Sequence, residues 1–200
     1  MVYKNKVFSG KEIKGQDFEK DTFLSCRFGG AKLKFTSFKN CEFSLCDFSG
    51  CFFELTSFFG CFFPESKLSN LDFSETSFES CDFSKAIMIN CTFQKLKEGS
   101  SFIKEKLDLK GNVFEKTELE NSVFFACDLS GVSFLNANLK GAVFENCNLK
   151  NTNFTGAEIS AVNFNSSKTE GTILDFNGFI AYGNSKGFVL EEEGLRGRVK

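Results

Sequence analysis

The sequence predicts an all-β fold in which the chain winds repeatedly about one axis, a parallel β-solenoid. Three observations predict it. From Phe8 every fifth residue is large and apolar, 18 positions without a miss as far as Phe93, and 12 more follow from Leu109 to Phe164. All nine cysteines lie two residues before one of these centres. A period of five suits neither a helix nor a flat strand. Five residues rotate an α-helix by about 140°, so no single face results. An odd period flips a strand side chain at every repeat. The chain must therefore turn once per unit in a constant sense, with its coils hydrogen-bonded as parallel strands.

Composition narrows the function before any motif is sought. Two hundred residues bury a real core in one domain. The 29 Phe outnumber every other apolar residue type, and 20 of them sit at the centres. There is no His and no Trp. The absence of His removes Ser-His-Asp and Cys-His nucleophiles, imidazole acid–base chemistry and His-ligated metals. No cofactor motif or activated nucleophile replaces them, so a protein without enzymatic activity or cofactor is expected. A net charge of −2, from 24 basic and 26 acidic residues, gives no global pull toward nucleic acid or a membrane surface. The N-terminus lacks the apolar run of a secretory signal, and no stretch approaches 18 apolar residues. A cytoplasmic protein that binds neither membrane nor nucleic acid directly is the expectation.

The elements follow in order. Residues 1–93 form the first β-helical run. Within it Phe43, Phe63 and Phe83 stack as a core column if residues 20 apart superpose, and Cys41, Cys61 and Cys81 stack beside them. The cysteine slot elsewhere holds Ala31, Thr36, Ser66 or Val132, which reads as a requirement for small volume. Cysteines spaced by multiples of five lack the close pairs of zinc sites, so they read as buried hydrophobes and no metal is expected. Over residues 94–108 the spacing from Phe93 to Leu109 is 16 instead of 15. This Lys-rich segment reads as a surface loop or distorted coil that re-phases the winding, or as a protruding recognition loop presenting Lys95, Lys97, Lys104 and Lys106. Residues 109–166 form the second run, where Phe and Leu or Ile alternate strictly at the centres. With four units per coil, like stacks on like; with three, Phe stacks on Leu, so a square cross-section is favoured. Residues 167–200 read as a degenerate coil, a cap over part of 174–190 and a tail.

The units CDFSG, CEFSL, ANLKG, CNLKN and TNFTG closely resemble the pentapeptide-repeat family, with its small residue, Asp or Asn, Leu or Phe, Ser or Thr, then Gly. The resemblance implies a right-handed quadrilateral β-helix, here about seven to eight coils and a rod of roughly 36 Å at strand spacing. It extends in part to Qnr-type members, which carry target-contacting loops and end in an apolar dimerising helix. The Gly-interrupted C-terminus here does not look like such a helix.

Function is expected on the outside. Phe52, Phe59 and Phe62 flank inward centres and should point outward, as should Phe35 and Leu55, stacked one above the other. They read as a contact zone for a protein partner or a second copy, giving a homodimer. Eight acids between Glu42 and Asp82 face one base, Lys67. Gathered into a stripe they would imitate DNA, and some family members bind type II topoisomerases in that way. At 20 residues per coil these acids scatter over all four faces, which reads as ordinary solvation.

Overall fold

The computed structural model describes residues 1–95 and 106–190. The repeat acts through its corners. The last residue of unit after unit sits at positive φ, among them Asn40 (52°), Asn121 (56°) and Gly156 (69°). One left-handed residue per five turns the chain, and Gly and Asn tolerate that conformation best. Between corners run short strands such as Ser37–Lys39, paired in parallel with the coils below and above, and Thr76–Glu79, paired with the coil below. Superposed residues are 20 apart, as in Phe38 over Phe18 and under Phe58. About seven turns result.

Four faces therefore bound the core. Face 1 carries Phe43, Phe63 and Phe83, face 2 Phe48, face 3 Phe53 and Phe93, and face 4 Phe38 and Phe58; most of these centres are fully buried. Rings on one face stack: Phe43 on Phe63 at 5.0 Å and 10°, Phe63 on Phe83 at 4.8 Å and 12°. Rings on adjacent faces meet edge-on, as do Phe58 and Phe63 at 5.4 Å and 68°. Both arrangements suit the ring quadrupole, so one residue type satisfies the vertical and the lateral contact at once. In the second run Phe stacks on Phe on opposite faces 1 and 3, at Phe114–Phe134 and Phe124–Phe144. Rings beside Leu71, a large residue in a small slot, are tilted by 33° instead (Phe53–Phe73, Phe73–Phe93).

The small slot demands more than volume. Cys46, Cys61 and Cys81 each point Sγ at the carbonyl of the residue 23 positions earlier, at 3.2 to 3.4 Å. Thr36 and Thr152 do the same with a hydroxyl, as does Thr117 across the insertion, where the carbonyl lies 34 positions earlier. Those carbonyls sit at the inner corners, where a donor stabilises them. Ala31, Ala142 and Val132 fill the slot without a donor, so packing volume remains the shared condition.

The break is an insertion. Below it, paired residues differ by 20; across it they differ by 31, as in Asp82 with Val113 and Thr92 with Val123. The extra residues enter between faces 3 and 4, and the ring columns close over the join, Phe93 on Phe124 at 4.5 Å and Phe83 on Phe114 at 5.0 Å. Leu107–Asp108 already pairs with Cys127–Asp128, two residues before the boundary read from the repeat.

Both ends depart from the repeat. Gly10–Ile13 is a helical turn, which we call α1. The Glu12 carboxylate accepts the Ser9 backbone N–H and hydroxyl, each at 2.8 Å, while Ile13 still enters the core. At the other end Phe176–Ser185 is a ten-residue helix, α2. The Gly-interrupted tail did not suggest a helix, and the one present lies against the last coil. Gly178 is the buried contact of α2, where a Cβ would lie 3.5 Å from the Ile159 methyl, so glycine brings the helix onto the last coil instead of breaking it. Asp175 fastens it, accepting Gly178 N–H on one oxygen and Gly156 N–H on the other, both at 2.7 Å. Tyr182 covers Phe164 with ring centres 5.6 Å apart.

Candidate interaction surface

The period of five decides which side chains leave the core. In each unit the slot and the centre point inward, and the other three residues face solvent. Phe52 (65% exposed) is on face 3, Phe59 (40%) on face 4 and Phe62 (51%) on face 1. Phe35 and Leu55 stack at the corner between faces 3 and 4, both more than half exposed. The five thus form a collar around one level of the rod, spanning three faces. Leu45, 54% exposed at the corner after face 1, extends it and was hidden in the sequence because a corner leucine looks like any other unit ending.

Three of these occupy the left-handed corner that each unit provides. Phe35, Leu45 and Leu55 have φ of 53°, 55° and 48°. Left-handed backbone costs a non-glycine residue roughly 1–2 kcal/mol, and exposure returns no burial energy.

One coil above the collar stands an acidic tier: Asp72 above Phe52, Glu75 above Leu55, Glu79 above Phe59 and Asp82 above Phe62. Asp72 and Asp82 also accept the N–H two residues on, at 2.9 and 2.8 Å. Below lie Lys32 under Phe52 and Lys39 under Phe59, the latter with its ammonium 6.0 Å from the ring centre. The eight acids between Glu42 and Asp82 occupy all four faces and form no single stripe. Lys95 and Lys106 stand at the roots of the insertion; Lys97 and Lys104 lie outside the described residues.

The interior offers little reactive chemistry. All nine cysteines are free and buried. Burial pushes the thiols of Cys46, Cys51 and Cys91 up to about 12, and Cys41 is raised further by the Cys61 thiol and by burial. Among the described residues no group of three or more Cys, Asp or Glu is placed to hold a metal ion, and no helix is long and apolar enough to cross a membrane.

Comparison with known proteins agrees with this geometry. Residues 26–63 and 65–94 match the family described as pentapeptide repeats, and residues 98–174 match the pentapeptide repeat region. The chain belongs to the pentapeptide-repeat family. Among solved structures it is similar to QnrB1, a plasmid-mediated fluoroquinolone resistance protein, at 18% identity and a TM-score of 0.71, covering 94% of this chain and 97% of that one. It is also similar to HetL, a pentapeptide repeat protein involved in heterocyst differentiation regulation in the cyanobacterium Nostoc, at 14% identity and a TM-score of 0.30, covering 87% of each chain. No curated protein matched. The likeness to QnrB1 places the fold as the family's right-handed β-helix.

Proposed function

We propose that this protein is a rigid, non-enzymatic rod whose work is protein–protein contact, made through the collar of Phe52, Phe59 and Phe62 with Phe35 and Leu55. The observation that carries this reading is the gathering of Phe35, Leu55, Phe52, Phe59 and Phe62, each 40% exposed or more, at adjacent levels of the rod. Large apolar surface left in water is unfavourable, so a gain from binding is what supports its presence. A cytoplasmic location fits free thiols buried in the core. The test is affinity capture from a cell extract with the native protein and with the Phe52→Ser, Phe59→Ser, Phe62→Ser triple variant. A partner held by the native chain and lost by the variant supports the collar; identical retention overturns it.

A second reading is binding to a type II topoisomerase. The fold likeness to QnrB1 along nearly the whole of both chains favours it, as does a Lys-bearing insertion of the kind Qnr-type members use on their target. The dispersed acids weigh against DNA mimicry. A gyrase supercoiling assay, titrated with this protein with and without a quinolone, decides it: protection or inhibition at micromolar protein supports this reading, and no effect removes it.

A further inference from the structure

Face 4 is charge-palindromic. One outward column reads, coil by coil, Glu19, Lys39, Phe59, Glu79, and the 31-residue offset across the insertion places Lys110 next. All five are exposed. About Phe59 the order is antisymmetric in charge: Lys39 on one side answers Glu79 on the other, and Glu19 answers Lys110. Beside it runs a column of small residues, Ser37, Ser57 and Ser77, bounded at the corner by Leu55.

We propose that face 4 is the contact between two antiparallel copies of this chain, related by a two-fold axis at the level of Ser57 and Phe59. The inference rests on the reading of the collar as an interaction surface and names its occupant. An axis lying in the contact plane across the rods reverses the order of coils and keeps left and right unchanged. Phe59 then meets Phe59 of the second copy, Leu55 meets Leu55, and Lys39 meets Glu79 twice, once for each copy. Farther out Glu19 meets Lys110, also twice. The serine column leaves one side of the face low, so the contact is carried by the ridge of Lys39, Phe59 and Glu79 beside it. At the ends Asp17 comes opposite Asp108 of the second copy, where Lys110, already 3.2 Å from Asp108 and 3.8 Å from Asp128, supplies the cation. A parallel arrangement, about an axis along the rods, exchanges left and right and sets Lys39, Phe59 and Glu79 against Ser37, Ser57 and Ser77, so neither charge meets its complement. The charge order therefore selects the antiparallel one.

The patch is about 20 Å long at strand spacing, which belongs to the weak and reversible class of interfaces. Phe52 and Phe62, on the neighbouring faces, stay available to another protein.

Sedimentation velocity of the full chain over about 1 to 100 µM tests this. The native protein is expected to pass from monomer to dimer, less readily at high salt. Lys39→Glu and Glu79→Lys should each weaken the dimer roughly tenfold or more, because the two-fold doubles every like-charge pair. An equimolar mixture of the two single variants should dimerise again, since each reversed charge then faces its complement. A native chain that stays monomeric overturns the proposal, and so does a dimer indifferent to both reversals, which would place the contact elsewhere. Neither outcome bears on capture of a different protein by the collar, so the two readings fail separately.

Discussion

Cys61, Thr56 and Ala31 occupy equivalent slots, yet only the first two carry a donor. Cys61 points its thiol at the Phe38 carbonyl at 3.4 Å, and Thr56 points its hydroxyl at the Leu33 carbonyl. If that contact contributes, Cys61→Thr should be more stable than the near-isosteric Cys61→Val by about 1 kcal/mol in urea unfolding, the reverse of the usual order in a hydrophobic core. Equal or inverted stability would reduce the slot to volume alone. The sequence showed the slot through the shared phase of nine cysteines. It could not show the acceptor, because that carbonyl lies 23 residues away and on another face. Thr76, the slot residue after the tilted Phe73, is a buried hydroxyl without a partner, a further effect invisible to a one-dimensional pattern.

At the scale of elements, corners and caps differ in how they could be read. Corners were legible because a period of five forces one turn per unit. What the repeat hides is that corners also stack: a Cβ at Gly156 would fall on the Asn136 amide oxygen one coil below, whereas Gly131 has open space. Both glycines have φ near 70°. Gly156→Ala should therefore lower the melting temperature more than Gly131→Ala, since both add left-handed strain and only the first displaces a stacked amide. A cap over part of 174–190 was expected, but its helical form was illegible for a different reason: its glycine is a packing contact, and sequence alone reads glycine as a breaker. Asp175 holds this cap, and the N–H groups of Gly178 and Gly156 keep its carboxyl below the ordinary value of 3.8. A lowered folded-state pKa means that its contribution is present above the ordinary value and is lost as pH falls through the depressed one. Tyr182 fluorescence should report undocking of α2 on acidification below about pH 4, with the transition weakened in Asp175→Ala. A pH-independent signal in the native protein would contradict this.

For the whole molecule, the break shows where reading by periodicity ends. A spacing of 16 where 15 is expected fits an insertion of one, six or eleven residues equally well. Only the pairing of Asp82 with Val113 and Phe93 with Phe124 fixes the 31-residue offset. Without that offset Lys110 cannot be placed over Glu79, and the charge order of face 4 is undefined. The aromatics were legible as outward-facing from phase alone, although their arrangement as a collar over three faces needed the winding. The division of labour between inward and outward Phe is the core of the account. Inward rings hold the rod together, and outward ones serve contact. The most direct test is chemical unfolding of the Phe52→Ser, Phe59→Ser, Phe62→Ser triple variant beside Phe63→Ala. Phe63→Ala should lose about 3–5 kcal/mol, as deletion of a buried ring does. The triple variant, with three substitutions, should lose less than about 1 kcal/mol. A loss in the triple variant as large as that of Phe63→Ala would show that the collar builds the fold, and would contradict its assignment to binding.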